Sequence, residues 1–203
     1  MDSTGWDARY ASSELVWSTG PNRWVEEVCA ELEPGTAVDL AAGEGRNALW
    51  LAERGWEATA VDFSAVGLDR ARRLAAERLG ENASRLHTVQ ADLASWSPHT
   101  EYDLALVVYL QVPSALRRTV LVAAATAVAP GGRVVVVAHH SDNLTAGVGG
   151  PQDPAVLYSE QDVLDDVAEQ IGAIPLRVER AERALRTVGD RQAVDVVVVL
   201  HRD

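Results

Sequence analysis

The chain has 203 residues, 47% of them hydrophobic, and its 18 basic residues against 30 acidic ones give a formal charge of -12. Length and apolar content suit one packed α/β unit with a core that needs no covalent staple. The single Cys29 excludes an internal disulfide, no Cys/His spacing of the zinc type occurs, and so no metal is expected. The charge argues against a nucleic-acid backbone as the main partner, because that binding draws on clustered Lys and Arg. With no secretory leader and no apolar run near the ~20 residues that span a bilayer, the expected setting is cytoplasmic, without a membrane partner.

The N-terminal 24 residues contain Trp6, Trp17 and Trp24, with Arg9 and Tyr10 between the first two. So aromatic a segment must pack on something. From there the chain alternates short apolar runs with stretches of helical spacing. The runs are Ala37–Leu40, Ala58–Val61, Leu86–Val89, Leu104–Val108, Arg133–Ala138, Leu176–Arg180 and Ala193–Leu200. Between the first five lie Asn47–Arg54, closed by Gly55; a helix from the N-cap Ser64 to the stop at Gly80; and Ser114–Val128, closed by Pro130-Gly131-Gly132. Strand runs alternating with helices imply parallel strands covered on both faces. After a loop over 139–158, Ser159 and Asp162 form a variant capping box for a helix that Gly172 ends. The last two runs have no helix between them and are expected to pair as an antiparallel hairpin. The expected fold is α/β: a Rossmann-like, doubly wound, seven-stranded, mostly parallel sheet with an antiparallel C-terminal hairpin. It is read as a single domain over 1–203, with an N-terminal helical lid over 1–32 and the core over 33–203.

Chemistry concentrates at the strand ends. The first run enters Asp39-Leu40-Ala41-Ala42-Gly43-Glu44-Gly45 and passes straight into a helix. Glycines there admit a ligand to the backbone and permit positive φ. The string Gly43-Glu44-Gly45-Arg46-Asn47-Ala48 also fits a dinucleotide pattern. Asp39 argues otherwise, since a carboxylate at the strand end suits a cationic amine better than a pyrophosphate. The second run ends in Asp62-Phe63, an acid placed for ribose hydroxyls beside an aromatic that can cover a base, and the third ends before Asp92, an acceptor for an amino group.

The series VDLAAGEGRNALWLA, AVDFS, QADLASW, YDLALVVYLQVP and APGGRVVVV resembles the motif set of class I S-adenosylmethionine-dependent methyltransferases, over about Glu33 to His139. Among these the chain is most similar to the small bacterial tellurite-resistance and thiopurine methyltransferase group. The resemblance implies S-adenosyl-L-methionine as cofactor. Asp39 would then orient the methionine amine, the backbone of Ala41, Gly43 and Gly45 would line methionine and ribose, and Arg46 and Asn47 would meet the methionine carboxylate. Asp62 would hold the ribose, Phe63 and Leu93 would flank the adenine, and Asp92 would accept its amino group. Ala41 stands where the family has its first glycine, and is expected only to tighten the turn. The pattern W-D-x-R-Y…W resembles that group's N-terminal lid, which would bring Tyr10 and Trp17 over the sulfonium.

His139 and Tyr109, at the ends of the fifth and fourth runs, are the candidates for acceptor contact and, for the histidine, a general base. A nicotinamide-dependent reductase is disfavoured because all 18 basic residues are arginine, leaving no lysine for a Tyr-x-x-x-Lys site. A non-catalytic S-adenosylmethionine-binding regulator is the remaining alternative. The expected activity is direct methyl displacement onto a small-molecule acceptor. Asp62→Ala is expected to weaken cofactor binding more than about tenfold with the fold intact.

Overall fold

The computed structural model describes residues 3–11 and 20–203, which divide into two compact units over 1–96 and 97–203. Seven strands form one sheet in the order β3-β2-β1-β4-β5-β7-β6.

The first unit contains α1 (Ser3–Ala11), α2 (Arg23–Cys29), β1 (Thr36–Leu40), α3 (Arg46–Glu53), β2 (Glu57–Asp62), α4 (Ala65–Leu79) and β3 (Leu86–Gln90). β1, β2 and β3 pair in parallel, in the register Ala37↔Ala58 and Ala58↔Leu86. Because β1 is covered on both faces, its last four residues are buried without alternation, Asp39 among them. α4 buries Leu68, Ala71 and Ala75, at spacings of three and four, and begins where the Ser64 hydroxyl accepts the Gly67 amide at 3.0 Å. The left-handed Gly80 (φ 55) stops it.

The second unit contains β4 (Tyr102–Val108), α5 (Ser114–Ala127), β5 (Val128–His139), α6 (Asn143–Ala146), α7 (Glu160–Asp166), α8 (Ala168–Ala173), β6 (Leu176–Val188) and β7 (Arg191–Arg202). β4 and β5 are parallel, whereas β5–β7 and β7–β6 are antiparallel. The sheet is therefore mostly parallel with an antiparallel C-terminal hairpin, as expected.

Three elements differ from the sequence reading. The hairpin strands run far beyond the two apolar runs and are joined by only Gly189-Asp190. β6 is the outermost strand, so its pattern is set by charge rather than burial. Ion pairs along it, such as Arg180–Glu182 at 2.6 Å, hide the strand from an apolar-period reading. Next, β5 begins at Val128 and carries Pro130-Gly131-Gly132 as an irregularity in its register with β4, so that segment is not a turn closing α5. Finally, the C-terminal helix does not run on to Gly172: it breaks at Val167 into α7 and α8, where Asp166 accepts the buried Arg117 Nε at 2.6 Å. The Ser159–Asp162 capping box is present in both directions. Among the described residues, no helix is long and apolar enough to cross a membrane, and no cluster of three or more His, Cys, Asp or Glu is placed to hold a metal.

Candidate cofactor site

The first unit builds its site on the turn between β1 and α3. The turn is held by Ala42 N–H donating to Val61 O at 3.1 Å and Gly45 N–H donating to Ala42 O at 2.9 Å. Three of its residues take left-handed backbone: Ala41 (φ 62), Gly43 (φ 57) and Gly45 (φ 73). Ala41 holds that left-handed conformation with a Cβ in place, which costs about 1–2 kcal/mol for an L residue, a strain that a merely tightened turn does not account for. Ala41→Gly is expected to raise thermal stability by a few tenths to about 1 kcal/mol, the relief being offset in part by the freer unfolded chain. Denaturant unfolding curves of the two proteins measure it.

Asp39 projects from β1 beneath this turn and is 1% exposed. Neither of its carboxylate oxygens completes a hydrogen bond. Burial pushes its pKa up to about 7, and the neighbouring Arg46 charge, the Ala48 amide and the Asn47 side chain offset that only in part. An ionisable oxygen pair left without partners in the core is costly unless something else completes it. A cationic group on a ligand answers that need, so the residues present fit the α-ammonium of S-adenosylmethionine.

Asp62, at the end of β2, is 4% exposed and also shifted upward by burial. One of its oxygens accepts the Gly43 amide at 2.8 Å and the other accepts the Ser64 amide at 2.8 Å. Each oxygen keeps a second lone pair beyond its amide. The carboxylate ties β2 to the glycine turn and to the start of α4. Asp62→Ala would strand two amides and is therefore expected to cost stability as well as cofactor affinity. The milder Asp62→Asn keeps one acceptor oxygen.

Phe63 and Asp92 line a cavity of about 320 Å³ together with Gln90 and Ala91. Asp92 is exposed and accepts the Ala94 amide at 2.9 Å, while the half-buried Leu93 is not among the cavity walls. Asn47 Oδ1 accepts the Asn22 amide at 2.8 Å, which pins the start of α2 to the first turn of α3. Arg46 is half-buried beside Asp39.

In α1, Tyr10 is 4% exposed and stacks on Trp6, with the Arg9 guanidinium over the Trp6 ring. The carboxylate of Asp7 accepts a short hydrogen bond from the Ser64 hydroxyl, so α1 docks on the start of α4. Trp17 lies outside the described residues.

Two contributors escape the sequence reading. Glu44, between the two glycines, is 2% exposed and paired with Arg70 at 2.7 Å. Gly67 lets α4 approach the turn, since a Cβ there would sit 2.9 Å from Gly43 O and 3.3 Å from the Tyr10 ring. A Gly in the first turn of a helix is the one signal the sequence offers for such an approach.

In the second unit, Tyr109 and His139 stand at the ends of β4 and β5 with their rings stacked, centroids 4.6 Å apart. Tyr109 takes left-handed backbone (φ 55) and its hydroxyl donates to Asp195 at 3.2 Å. His140, the next residue, is 6% exposed and accepts the Asp142 amide at 2.9 Å on Nδ1, within the loop that follows β5.

A strand-to-helix glycine turn over a buried acid, a second acid at the next strand end, and a seven-stranded sheet with this order are the arrangement of the class I S-adenosylmethionine-dependent methyltransferase fold. Residues 37–132 match the family described as "Methyltransferase domain". Among curated proteins the chain is similar to the tRNA 5-carboxymethoxyuridine methyltransferase of Escherichia coli (strain K12), 30% identical over 125 residues that make up 59% of this chain and 47% of that protein. The chain thus spans about half the length of the curated relatives it matches. Solved structures of the same fold include the glycopeptide N-methyltransferase MtfA complexed with S-adenosyl-L-homocysteine (TM-score 0.70, 17% identity, 94% of this chain and 90% of that one). TehB from Haemophilus influenzae is another (TM-score 0.70, 15% identity, 99% of this chain and 67% of that one).

Proposed function

We propose that the protein transfers the methyl group of S-adenosylmethionine to a nucleophilic heteroatom of a small-molecule acceptor. The observation that carries this reading is Asp39, a buried carboxylate at the left-handed glycine turn whose oxygens close no full hydrogen bond, the nearby Ala48 amide and Asn47 side chain offsetting its burial only in part. In the reading, Asp39 holds the ammonium, Arg46 and Asn47 meet the carboxylate, and the backbone of Ala41, Gly43 and Gly45 lines the chain between them. Asp62 takes the ribose hydroxyls on its second lone pairs, while Phe63, Leu93 and Asp92 bind the adenine. Helix α1 acts as a lid, with Tyr10 shielding the sulfonium.

The cofactor brings an activated methyl group, so the chain's task is alignment and exclusion of water. When bound, the cofactor would supply the methyl group, its sulfur leaving as a neutral thioether, and the acceptor's proton would pass to the chain. His139 is assigned as the base that takes it and Tyr109 as a contact of the acceptor. The net charge of -12 supports a small acceptor over a polyanionic one. An RNA acceptor is the second reading, favoured by the name of the curated relative.

Calorimetry with S-adenosylhomocysteine and NADH, followed by radiolabelled methyl transfer, tests the proposal. The expected result is binding of the former alone, with label incorporated into one of a panel of small thiols, amines, phenols and carboxylates. Label found only in unmodified tRNA transcripts would replace the small-molecule reading. Binding without transfer to any probe would favour a regulatory domain.

A further inference from the structure

The antiparallel register of the second unit sets Asp195 of β7 directly opposite His139 of β5, although the two are 56 positions apart in the chain. Residues paired in this way carry their side chains on the same face of the sheet. The Asp195 carboxylate is completely buried. Its Oδ2 accepts from Arg186 Nε at 2.6 Å and from the Tyr109 hydroxyl at 3.2 Å. Its Oδ1 accepts from Arg186 Nη2 at 3.4 Å and lies 3.4 Å from the buried His139 Nδ1, which otherwise closes no hydrogen bond.

We infer that Asp195 is a positioning residue, whose carboxylate holds the His139 imidazole as the Nδ1–H tautomer and leaves the Nε2 lone pair to receive the acceptor's proton. This rests on the assignment of His139 as the base in the proposed methyl transfer.

The argument is electrostatic. A carboxylate only accepts hydrogen bonds, so a lone pair on Nδ1 facing it would be repelled, while an N–H there is attracted. The other groups around the ring preserve that arrangement. Arg186 supplies the counter-charge that makes a fully buried carboxylate tolerable. Tyr109 stacks on the ring from β4, its own backbone held left-handed while its amide donates to Val137 O at 2.7 Å. The His139 amide donates to Gln111 Oε1 at 2.7 Å, and the Gly150 backbone packs so close to the imidazole that a Cβ there would fall 2.6 Å from its Cδ2. Left-handed backbone at a non-glycine residue such as Tyr109 is strained, and such strain clusters at functional sites.

The test reads the imidazole itself. Long-range proton–nitrogen NMR at about pH 8 of the protein labelled on histidine, with the signal assigned by comparison with His139→Gln, is expected to show Nδ1 protonated and Nε2 bare. In Asp195→Asn the imidazole is expected to move toward the Nε2–H form. The double variant Asp195→Asn/Arg186→Gln removes both charges together, and is expected to show the same move in case the single variant unfolds. An Nε2–H imidazole in the unmodified protein, or a tautomer unaltered in a folded variant, would overturn the inference. Neither cofactor nor acceptor is needed, so the two readings fail separately. Absence of methyl transfer leaves the tautomer result standing, and an Nε2–H ring sinks the positioning role even where transfer occurs.

Discussion

Lowering the pH from about 8 to about 5.5 is expected to weaken S-adenosylhomocysteine binding roughly thirtyfold, because the ligand's ammonium needs Asp39 ionised. Burial raises the Asp39 pKa to about 7 in the free protein, so below that value the carboxyl is protonated and must release its proton for the ammonium to bind. Affinity then falls by nearly a factor of ten per pH unit below about 6.5, and levels off above about 7.5. The ligand amine stays cationic throughout this range, so the slope belongs to the protein. In Asp39→Asn the slope should vanish. Affinity at pH 8 should drop by one to two orders of magnitude, the weight of a charge-assisted hydrogen bond of about 1.5–3 kcal/mol. Calorimetry across this range in buffers of differing ionisation heat measures both the affinity and the proton released. A flat profile in the unmodified protein would remove Asp39 from the ammonium site. The stability of the free protein carries the opposite sign. A carboxyl whose folded pKa lies above its unfolded value of 3.8 keeps its proton longer in the folded state. Its effect is therefore a loss of stability as pH rises from about 4 to about 7, and Asp39→Asn should abolish that loss.

Gly45→Ala is expected to cost about 2–5 kcal/mol of stability and to abolish cofactor binding at micromolar concentrations. Two physical terms add. Gly45 holds φ 73 as the residue from which α3 starts, and an L residue in that conformation costs about 1–2 kcal/mol. A Cβ at this position would also lie 2.9 Å from the Cβ of Ala71. α3 and α4 would have to separate, an overpacking cost of about 1–3 kcal/mol. The two terms are separable. Ala71→Gly in the Gly45→Ala background removes the collision but not the strain, and by itself costs about 1 kcal/mol for a glycine inside a helix. A favourable coupling in the double-mutant cycle, read from denaturant unfolding, would show that the clash is real. Strict additivity would assign the whole loss to backbone strain.

Where the relevant physics is local, it was readable from the chain. Parallel strands covered on both faces must be continuous apolar runs, so Ala37–Leu40 and Leu104–Val108 announce themselves. Helix ends must satisfy their own amides, so Ser64 and the Ser159–Asp162 box mark starts that the structure reproduces. A left-handed turn needs glycine, so Gly43 and Gly45 mark the turn between β1 and α3 in the sequence. β6 was shortened in the sequence reading because an edge strand solvated on its surface carries charge where a central strand carries valine.

Sequence by itself determined the class of protein: the alternation of elements, the acids at successive strand ends, the glycine turn and the absence of lysine. Tertiary structure alone decided how those acids are employed. It shows that Asp39 closes no full hydrogen bond while Asp62 already holds two amides, that Ala41 bears left-handed strain, and that Asp195 lies against His139. The reason is the range of the interactions. Capping, turn chemistry and burial periodicity act over a few residues and leave a local pattern, whereas desolvation and cross-strand register depend on segments dozens of residues apart and leave none.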